Sequence, residues 1–385
     1  MNGIEPTVVI LIDALGYEIV RKHGFKLPIG GPKRLKTVAG FSQAAILSIL
    51  TSLSPADHGM WLMYSFNRDK SPMKWTRLLP NSVSSRRLWF RRLVSWKLER
   101  VDRISSYYSL YDIPREVLPY LDIPLKKSYF EEGAIGGVRS IFDHLASNRI
   151  PYKVWDYTVD EGQAFSELTI ELERGEPGFY FLYTAEFDAL LHRYGTTHEV
   201  VAEKLAWYEN KVSELFEKAV EKFGAPRFFV FGDHGMCDVE QTVDVQSKIE
   251  RLGFKIPQDY LPFYDSTMAR FKIFSSEAAE GIEALLRSTG CGHIVDDMEA
   301  ASIGAPGPGS PYGDIVFIVD SGCLIVPSFM SKSPISAMHG YHPDSSCMDS
   351  SFFANQKSID IESIVEIAHL MIPNFKVEKG NRDGD

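Results

Sequence analysis

Cysteine is scarce in this chain: Cys237, Cys291, Cys323 and Cys347 are the only four in 385 residues, and none falls in a CxxC spacing. That argues against a zinc ribbon or a disulfide framework and predicts reduced thiols. Long apolar runs are missing too. "MNGIEPTVVILIDALG" has no basic n-region, and its "VVILI" is too short for a signal-peptide core or a membrane-spanning helix. The expectation is an intracellular, cytoplasmic protein whose only possible contact with a membrane is peripheral. Nor is positive charge in excess. Lys and Arg number 41 against 51 Asp and Glu, a formal net charge of −10, which argues against wholesale binding to a nucleic-acid polymer. No convincing internal repeat is present, although "DHGM" occurs twice, at Asp57–Met60 and Asp233–Met236, in dissimilar surroundings.

What is there is a pattern of strands and helices. A hydrophobic fraction of 44% suffices for a substantial core, and the length suits one large α/β domain with insertions or two domains. "TVVILIDALG" is a β-branched apolar run that ends at Asp13, as expected of a strand buried on both faces. "GFYFLYTAEFDALLH" and "RFFVFGDHGM" repeat the form, and "GDIVFIVDSG" reads as another such strand. "TTHEVVAEKLAWYENKVSELFEKAVEKFG" is an amphipathic helix ending at Gly224. The alternation predicts an α/β fold with a mainly parallel central sheet and helices on both faces. Residues 61–125 and 238–311 fit it poorly and read as two insertions that cap the site; the tail "KVEKGNRDGD" reads as frayed. In such sheets ligands bind beyond the carboxyl ends of the strands, where the acidic motifs fall.

Those ends supply the chemistry. Asp13 closes the first strand; by itself it reads equally as a helix cap. In "GFSQAAILSILTSLSP", Ser42 stands at the start of a buried helix. It is either an ordinary cap or a nucleophile beside free backbone N–H groups. In "EFDALLHRYG", Asp188 and His192 are four apart and share one face of a helical turn, with Glu186 nearby as a weaker candidate. In "FFVFGDHGM", Asp233 and His234 end so apolar a strand that their charge needs a metal or an ion pair. "SAMHGYHPDSS" adds His339 and His342 in a loop. Asp13, Asp188, Asp233, His192, His234 and His339 make three carboxylates and three imidazoles. That donor set suits zinc or manganese better than magnesium or calcium, and six ligands suffice for two ions.

The order and wording of these motifs resemble the alkaline phosphatase superfamily, and most of all its type I phosphodiesterase/nucleotide pyrophosphatase branch. The resemblance rests on "ILIDALG", the Ser42 helix ending in "LSPADHGM", "EFDALLHRYG", "FGDHGM" and "MHGYHPDSSCMDSSFFA". It implies one alkaline-phosphatase-like catalytic domain of three layers over residues 1–385. It also implies hydrolysis of phosphodiester or pyrophosphate bonds at two divalent metal ions, zinc with manganese as the alternative. One ion would be held by Asp13, Asp233 and His234 and touch Ser42; the other would be held by Asp188, His192 and His339. Ser42 would be the nucleophile, forming a phosphoserine. His58-Gly59 supplies the register and, in this reading, closes a turn and binds no metal. The branch commonly has Asn three residues after the nucleophile, where it binds a phosphoryl oxygen. Here that residue is Ala45, so the hydrogen bond is missing or comes from elsewhere, such as Gln43 or an insertion residue.

The expected substrate is a small phosphate ester: a nucleotide, a nucleotide-sugar or a lipid phosphate. A phosphomonoesterase or phosphomutase with the same metal core is the alternative that Ala45 keeps open, and a silent metal-binding scaffold is another. A sulfatase is disfavoured because "GFSQAA" lacks the Cys/Ser-x-Pro-x-Arg signature. "SSRRLWFRRLVSWKLERVDR" gathers Arg86, Arg87, Arg91, Arg92, Lys97, Arg100 and Arg103 with Trp89, Phe90 and Trp96. It reads either as a solvated helix pinned by its aromatics or, over residues 86–103, as an anion-binding or peripheral membrane face.

Overall fold

A computed structural model describes residues 5–79, 87–110, 112–356 and 359–377. Arg86 of the basic segment and the tail beyond 377 lie outside the described residues.

Six strands build the central sheet: β1 (Thr7–Ile12), β2 (Lys33–Leu35), β3 (Tyr152–Trp155), β4 (Phe179–Thr184), β5 (Arg227–Phe231) and β6 (Ser350–Ala354). Their order is β2-β6-β5-β1-β4-β3. β1 lies parallel to β4 and β5, and β3 parallel to β4, while β6 runs antiparallel between β5 and β2. Every residue of β1 and of β4 is buried, as continuous apolar runs require when both faces are covered. The period of two divides β1 between two cores. Val9 and Leu11 join the helix α1 (Ser42–Thr51) on one face. Val8, Ile10 and Ile12 join α4 (Glu161–Arg174), α5 (Glu186–Tyr194) and α6 (Glu199–Phe223) on the other. Helix, sheet and helix thus form three layers around a mainly parallel sheet.

Two further helices complete the set used below: the single turn α2 (Pro55–His58) follows α1, and α3 (Leu88–Arg100) lies in the segment 61–125. That segment also contributes a small antiparallel pair, Ser65–Phe66 with Leu121–Asp122. The strand expected in "GDIVFIVDSG" exists at Ile315–Val319, but it is not a strand of the parallel sheet. It pairs antiparallel with Met268–Ile273 and Gly292–Ile294 in a separate four-stranded sheet completed by Tyr260–Tyr264. The run "IVFIV" is buried on both faces there too, so its apolar pattern does not distinguish the two sheets. A third core unites this sheet with α3 and its surroundings, for example Phe90, Val94 and Leu98 with Phe263, Phe271 and Phe317. Inside it Arg270 is 1% exposed. Its guanidinium reaches Asp265 at 3.2 Å and the carbonyls of Tyr64 and Tyr312 at 3.1 Å each.

The expectation of four reduced thiols is corrected for one pair. Cys237 and Cys347 form a disulfide across 110 residues of sequence, with Cα atoms 5.3 Å apart. Spacing alone could not show this, because the fold brings the two together. Met338 pairs with Cys237, and Ala337 with Asp238, in a short antiparallel ladder. Cys291 and Cys323 are free and buried.

Candidate metal centre

The carboxyl ends of β1, β4 and β5 meet at one place. Asp13 follows β1, Asp233 follows β5 by one glycine, and Asp188 lies in the first turns of α5 just after β4. His192 stands one turn along α5, as the four-residue spacing requires. His339 arrives from the loop after the Ala337–Met338 strand.

The polar atoms converge closely. His234 Nε2 lies 3.3 Å from Asp13 Oδ1 and 3.4 Å from Asp233 Oδ2. His192 Nε2 is 3.2 Å from Asp188 Oδ2, and His339 Nε2 is 3.5 Å from Asp188 Oδ1. The rings of His234 and His339 stack with centroids 3.9 Å apart. Two sets of three have all their candidate ligand atoms within 4.8 Å of one another: Asp13 with Asp233 and His234, and Asp188 with His234 and His339. His192 joins the second set through its contact with Asp188. Its Nδ1 faces the Ala337 carbonyl at 2.8 Å, which leaves Nε2 toward the centre.

Ser42 is the first residue of α1, and its hydroxyl does not cap the helix. The Oγ instead lies 2.9 Å from His234 Nε2 and 3.4 Å from Asp13 Oδ1. The first turn of α1 holds no acidic residue, and the backbone N–H groups of Ser42 and Gln43 have no acceptor among the described residues. The Nε2 of Gln43 is likewise buried without a partner. A helix start of this kind attracts an anion.

Electrostatics distinguish the carboxylates. Burial, then the charges of Asp233 and Asp188, push the Asp13 carboxyl well above its ordinary range, against a hydrogen bond from Tyr183. Burial also raises Asp233, which His234 offsets in part. Burial is the largest influence on Asp188 as well, but the hydrogen bond from His192 and the nearby imidazoles outweigh it and hold that carboxyl low. Burial and then His234 push the His339 imidazole well down, so it stays neutral and able to donate a lone pair.

The residues fit divalent metal ligation. No described Lys or Arg forms an ion pair with Asp13, Asp188 or Asp233; their close partners are imidazoles. Asp233 Oδ2, Asp188 Oδ1 and His339 Nδ1 are buried without any hydrogen bond. Native structures seldom leave such groups unsatisfied, and uncompensated buried carboxylates are costly. Divalent cations would satisfy both the donors and the charge.

Two residues around the cluster, Tyr183 and Thr37, escaped the sequence reading. Tyr183 donates its hydroxyl to Asp13 Oδ2 at 2.6 Å, and Thr37 donates to the Asp233 carbonyl at 2.8 Å. Gly235 approaches the loop that carries Cys347 so closely that a Cβ there would lie 2.0 Å from the Cys347 carbonyl oxygen. Other candidates fall outside the cluster. Glu186 is exposed, and His342 faces Glu299 at 3.3 Å. Ala45 is 2% exposed within the core beneath α1. His58, at the end of α2, is 2% exposed, lies 3.2 Å from Ser48 Oγ on α1, and accepts from the Met60 backbone. It braces the Ser42 helix as expected of a turn residue.

Comparison with known proteins identifies the family and the fold. The family model described as Type I phosphodiesterase / nucleotide pyrophosphatase matches residues 38–342. Among solved structures, human ectonucleotide pyrophosphatase/phosphodiesterase 5 superposes with a TM-score of 0.67 at 11% identity, covering 98% of this chain and 97% of that one. The murine protein of the same name gives 0.65 at 15% identity, with coverage of 98% and 97%. At these identities the likeness shows the shared alkaline-phosphatase-like fold. No curated protein sequence matches the chain.

Proposed function

Because the chain belongs to the type I phosphodiesterase/nucleotide pyrophosphatase family, and is a hydrolase of that phosphodiesterase/pyrophosphatase type, we propose that it cleaves small phosphate esters through a phosphoserine on Ser42. The observation that carries this reading is the Ser42 hydroxyl, 2.9 Å from His234 and 3.4 Å from Asp13, at the edge of a buried cluster with unsatisfied ligand atoms. Asp13, Asp233 and His234 would hold one divalent ion, and Asp188, His192 and His339 a second, zinc or manganese by donor type. When bound, such a pair lowers the pKa of a nearby hydroxyl and stabilises the attacking and leaving oxygens.

The chain's own residues do the rest. Asp13 and His234 hold Oγ in place. The free N–H groups at the start of α1, with the unpartnered amide of Gln43, offer donors to the phosphoryl oxygens. Oγ gives up its proton and bonds to phosphorus as the bond to the leaving oxygen breaks; that oxygen departs with the bonding pair and takes up a proton. Water then adds to the phosphorus of the phosphoserine, the Oγ–P bond breaks, one water proton passes to the Ser42 Oγ and the hydroxyl stays on the released phosphate. The segments 61–125 and 238–311 cap the site in this reading and would select among nucleotides, nucleotide-sugars and lipid phosphates.

Ser42→Ala is expected to lower turnover of bis-p-nitrophenyl phosphate at least about a thousandfold while the bound metal, measured by elemental analysis, stays constant. Unchanged turnover in that variant would refute the nucleophile. A phosphomonoesterase or mutase reading rests on Ala45, which offers no donor to a phosphoryl oxygen. Faster turnover of p-nitrophenyl phosphate than of the diester or a nucleotide-sugar would favour it.

A further inference from the structure

We propose that the outer face of α3 docks on the interface of an anionic lipid bilayer. The inference does not rest on the catalytic reading. Phe90, Val94 and Leu98 form the inner stripe of α3 and are at most 1% exposed, so one face already anchors the helix. At 100° per residue, Leu88, Trp89, Leu93 and Trp96 fall on the opposite arc. They are 63%, 48%, 39% and 55% exposed, and Val101 just beyond the helix is exposed as well. Two tryptophans held in water by a helix that is secured without them need a further reason.

Charge supplies the partner's chemistry. Arg92 and Arg100 lie on the same arc, Arg87 precedes the helix, and Arg91 flanks it. None of the four forms an ion pair with a described residue. The basic residue that does, Lys97, is held by Asp102. Glu99, the helix's one acid, accepts the Tyr108 hydroxyl at 3.1 Å. This local excess of positive charge stands out in a chain of net charge −10.

Shape narrows the choice. The groove between these side chains is bounded by Leu88, Trp89, Arg92, Leu93 and Trp96, all from α3. Among the described residues no second element provides a wall to grip a peptide. A second copy meeting this face about a two-fold axis would set arginine against arginine. A fluid anionic surface needs no wall: indoles settle at headgroup depth and guanidinium groups meet lipid phosphates. A relay of aromatic contacts links α3 to the candidate site. Tyr108 lies along the flank of α3, its hydroxyl 3.4 Å from the Ser95 carbonyl and within reach of Glu99, which shares the outer arc. Its neighbour Tyr107 meets Tyr157 at 5.7 Å, and Tyr157 meets Tyr183, the donor to Asp13, at 6.2 Å. The helix α3 lies at the outer end of this aromatic file.

Flotation of the whole protein with vesicles tests the idea. At low ionic strength it is expected to float with mixed phosphatidylcholine–phosphatidylserine vesicles and not with phosphatidylcholine alone, with its tryptophan emission shifted to the blue. Trp89→Ser with Trp96→Ser, or Arg92→Glu with Arg100→Glu, should lower the partition coefficient about tenfold or more. The thermal unfolding midpoint, as the control for folding, should be unchanged. The proposal fails if the unaltered protein stays behind when anionic vesicles float, or if both double variants float as well as it does. It fails equally if sedimentation equilibrium finds a dimer that the tryptophan substitutions dissolve while vesicles bind nothing, which would assign the face to a second copy.

Discussion

Tyr183 carries the smallest testable claim. Its hydroxyl donates to Asp13 Oδ2, the oxygen that neither Ser42 nor His234 faces, and a hydrogen bond to a carboxylate both orients it and fixes which oxygen faces the centre. Tyr183→Phe removes the donor and little else. It is expected to weaken divalent-metal binding about 10- to 100-fold, read by competition with a chromophoric chelator. Equal affinity in the variant would show that the hydroxyl only fills space. The sequence displayed the residues around it unequally. Asp13, Asp188, Asp233 and Ser42 were legible because charge or hydroxyl interrupts an apolar run at the end of an element. Tyr183 was not. Inside "FYFLYT" a tyrosine has the same pattern value as a phenylalanine, and only the neighbouring strand end shows that its ring tip meets a carboxylate.

Among elements, the decisive arrangement is the neck formed by Cys237 and Cys347. The loop after β5 that bears Asp233 and His234 is tied there to the segment between His339 and β6. Gly235 must stay a glycine for the two to approach, since any Cβ would strike the Cys347 carbonyl. Cys237→Ser with Cys347→Ser is expected to lower unfolding stability by about 2–5 kcal/mol, measured by denaturant titration. Dithiothreitol should lower the unfolding midpoint of the unaltered protein and leave that of the double variant alone. If reduction moves neither, the bridge constrains nothing. The central strands were readable as elements because burial on both faces leaves long apolar runs. Their pairing, and the antiparallel role of Ile315–Val319, were not, because sheet membership depends on partners that no local pattern encodes.

For the whole molecule, Arg270 shows what joins the four-stranded sheet to the segment after α2. Its guanidinium neutralises Asp265, bonds two carbonyls, and lies over the Phe263 ring at 4.8 Å. Arg270→Met keeps the volume and strands a buried carboxylate, at a cost of about 3–5 kcal/mol. Burial already raises the Asp265 carboxyl above its ordinary range, and Arg270 is what opposes that rise. Without the arginine the folded-state pKa goes higher still. A group raised on folding contributes stability that is present below its unfolded pKa and lost as pH rises through the folded one. The gap between variant and unaltered protein should therefore be widest at neutral pH and narrow on acidification. Denaturant midpoints compared at pH 7.5 and pH 5 check this, and a gap that widens toward pH 5 would contradict it. The neck described above has a further consequence at this scale. The chain departs at Asp238 and comes back at Ala337, which are paired neighbours, so the intervening sheet and helices are one excursion with a common start and finish. Asp233 and His234 stand just before it, and His339 just after. The excursion's two ends are thereby held side by side next to the cluster, so whatever the excursion packs against, its start and finish share the position of Asp233, His234 and His339.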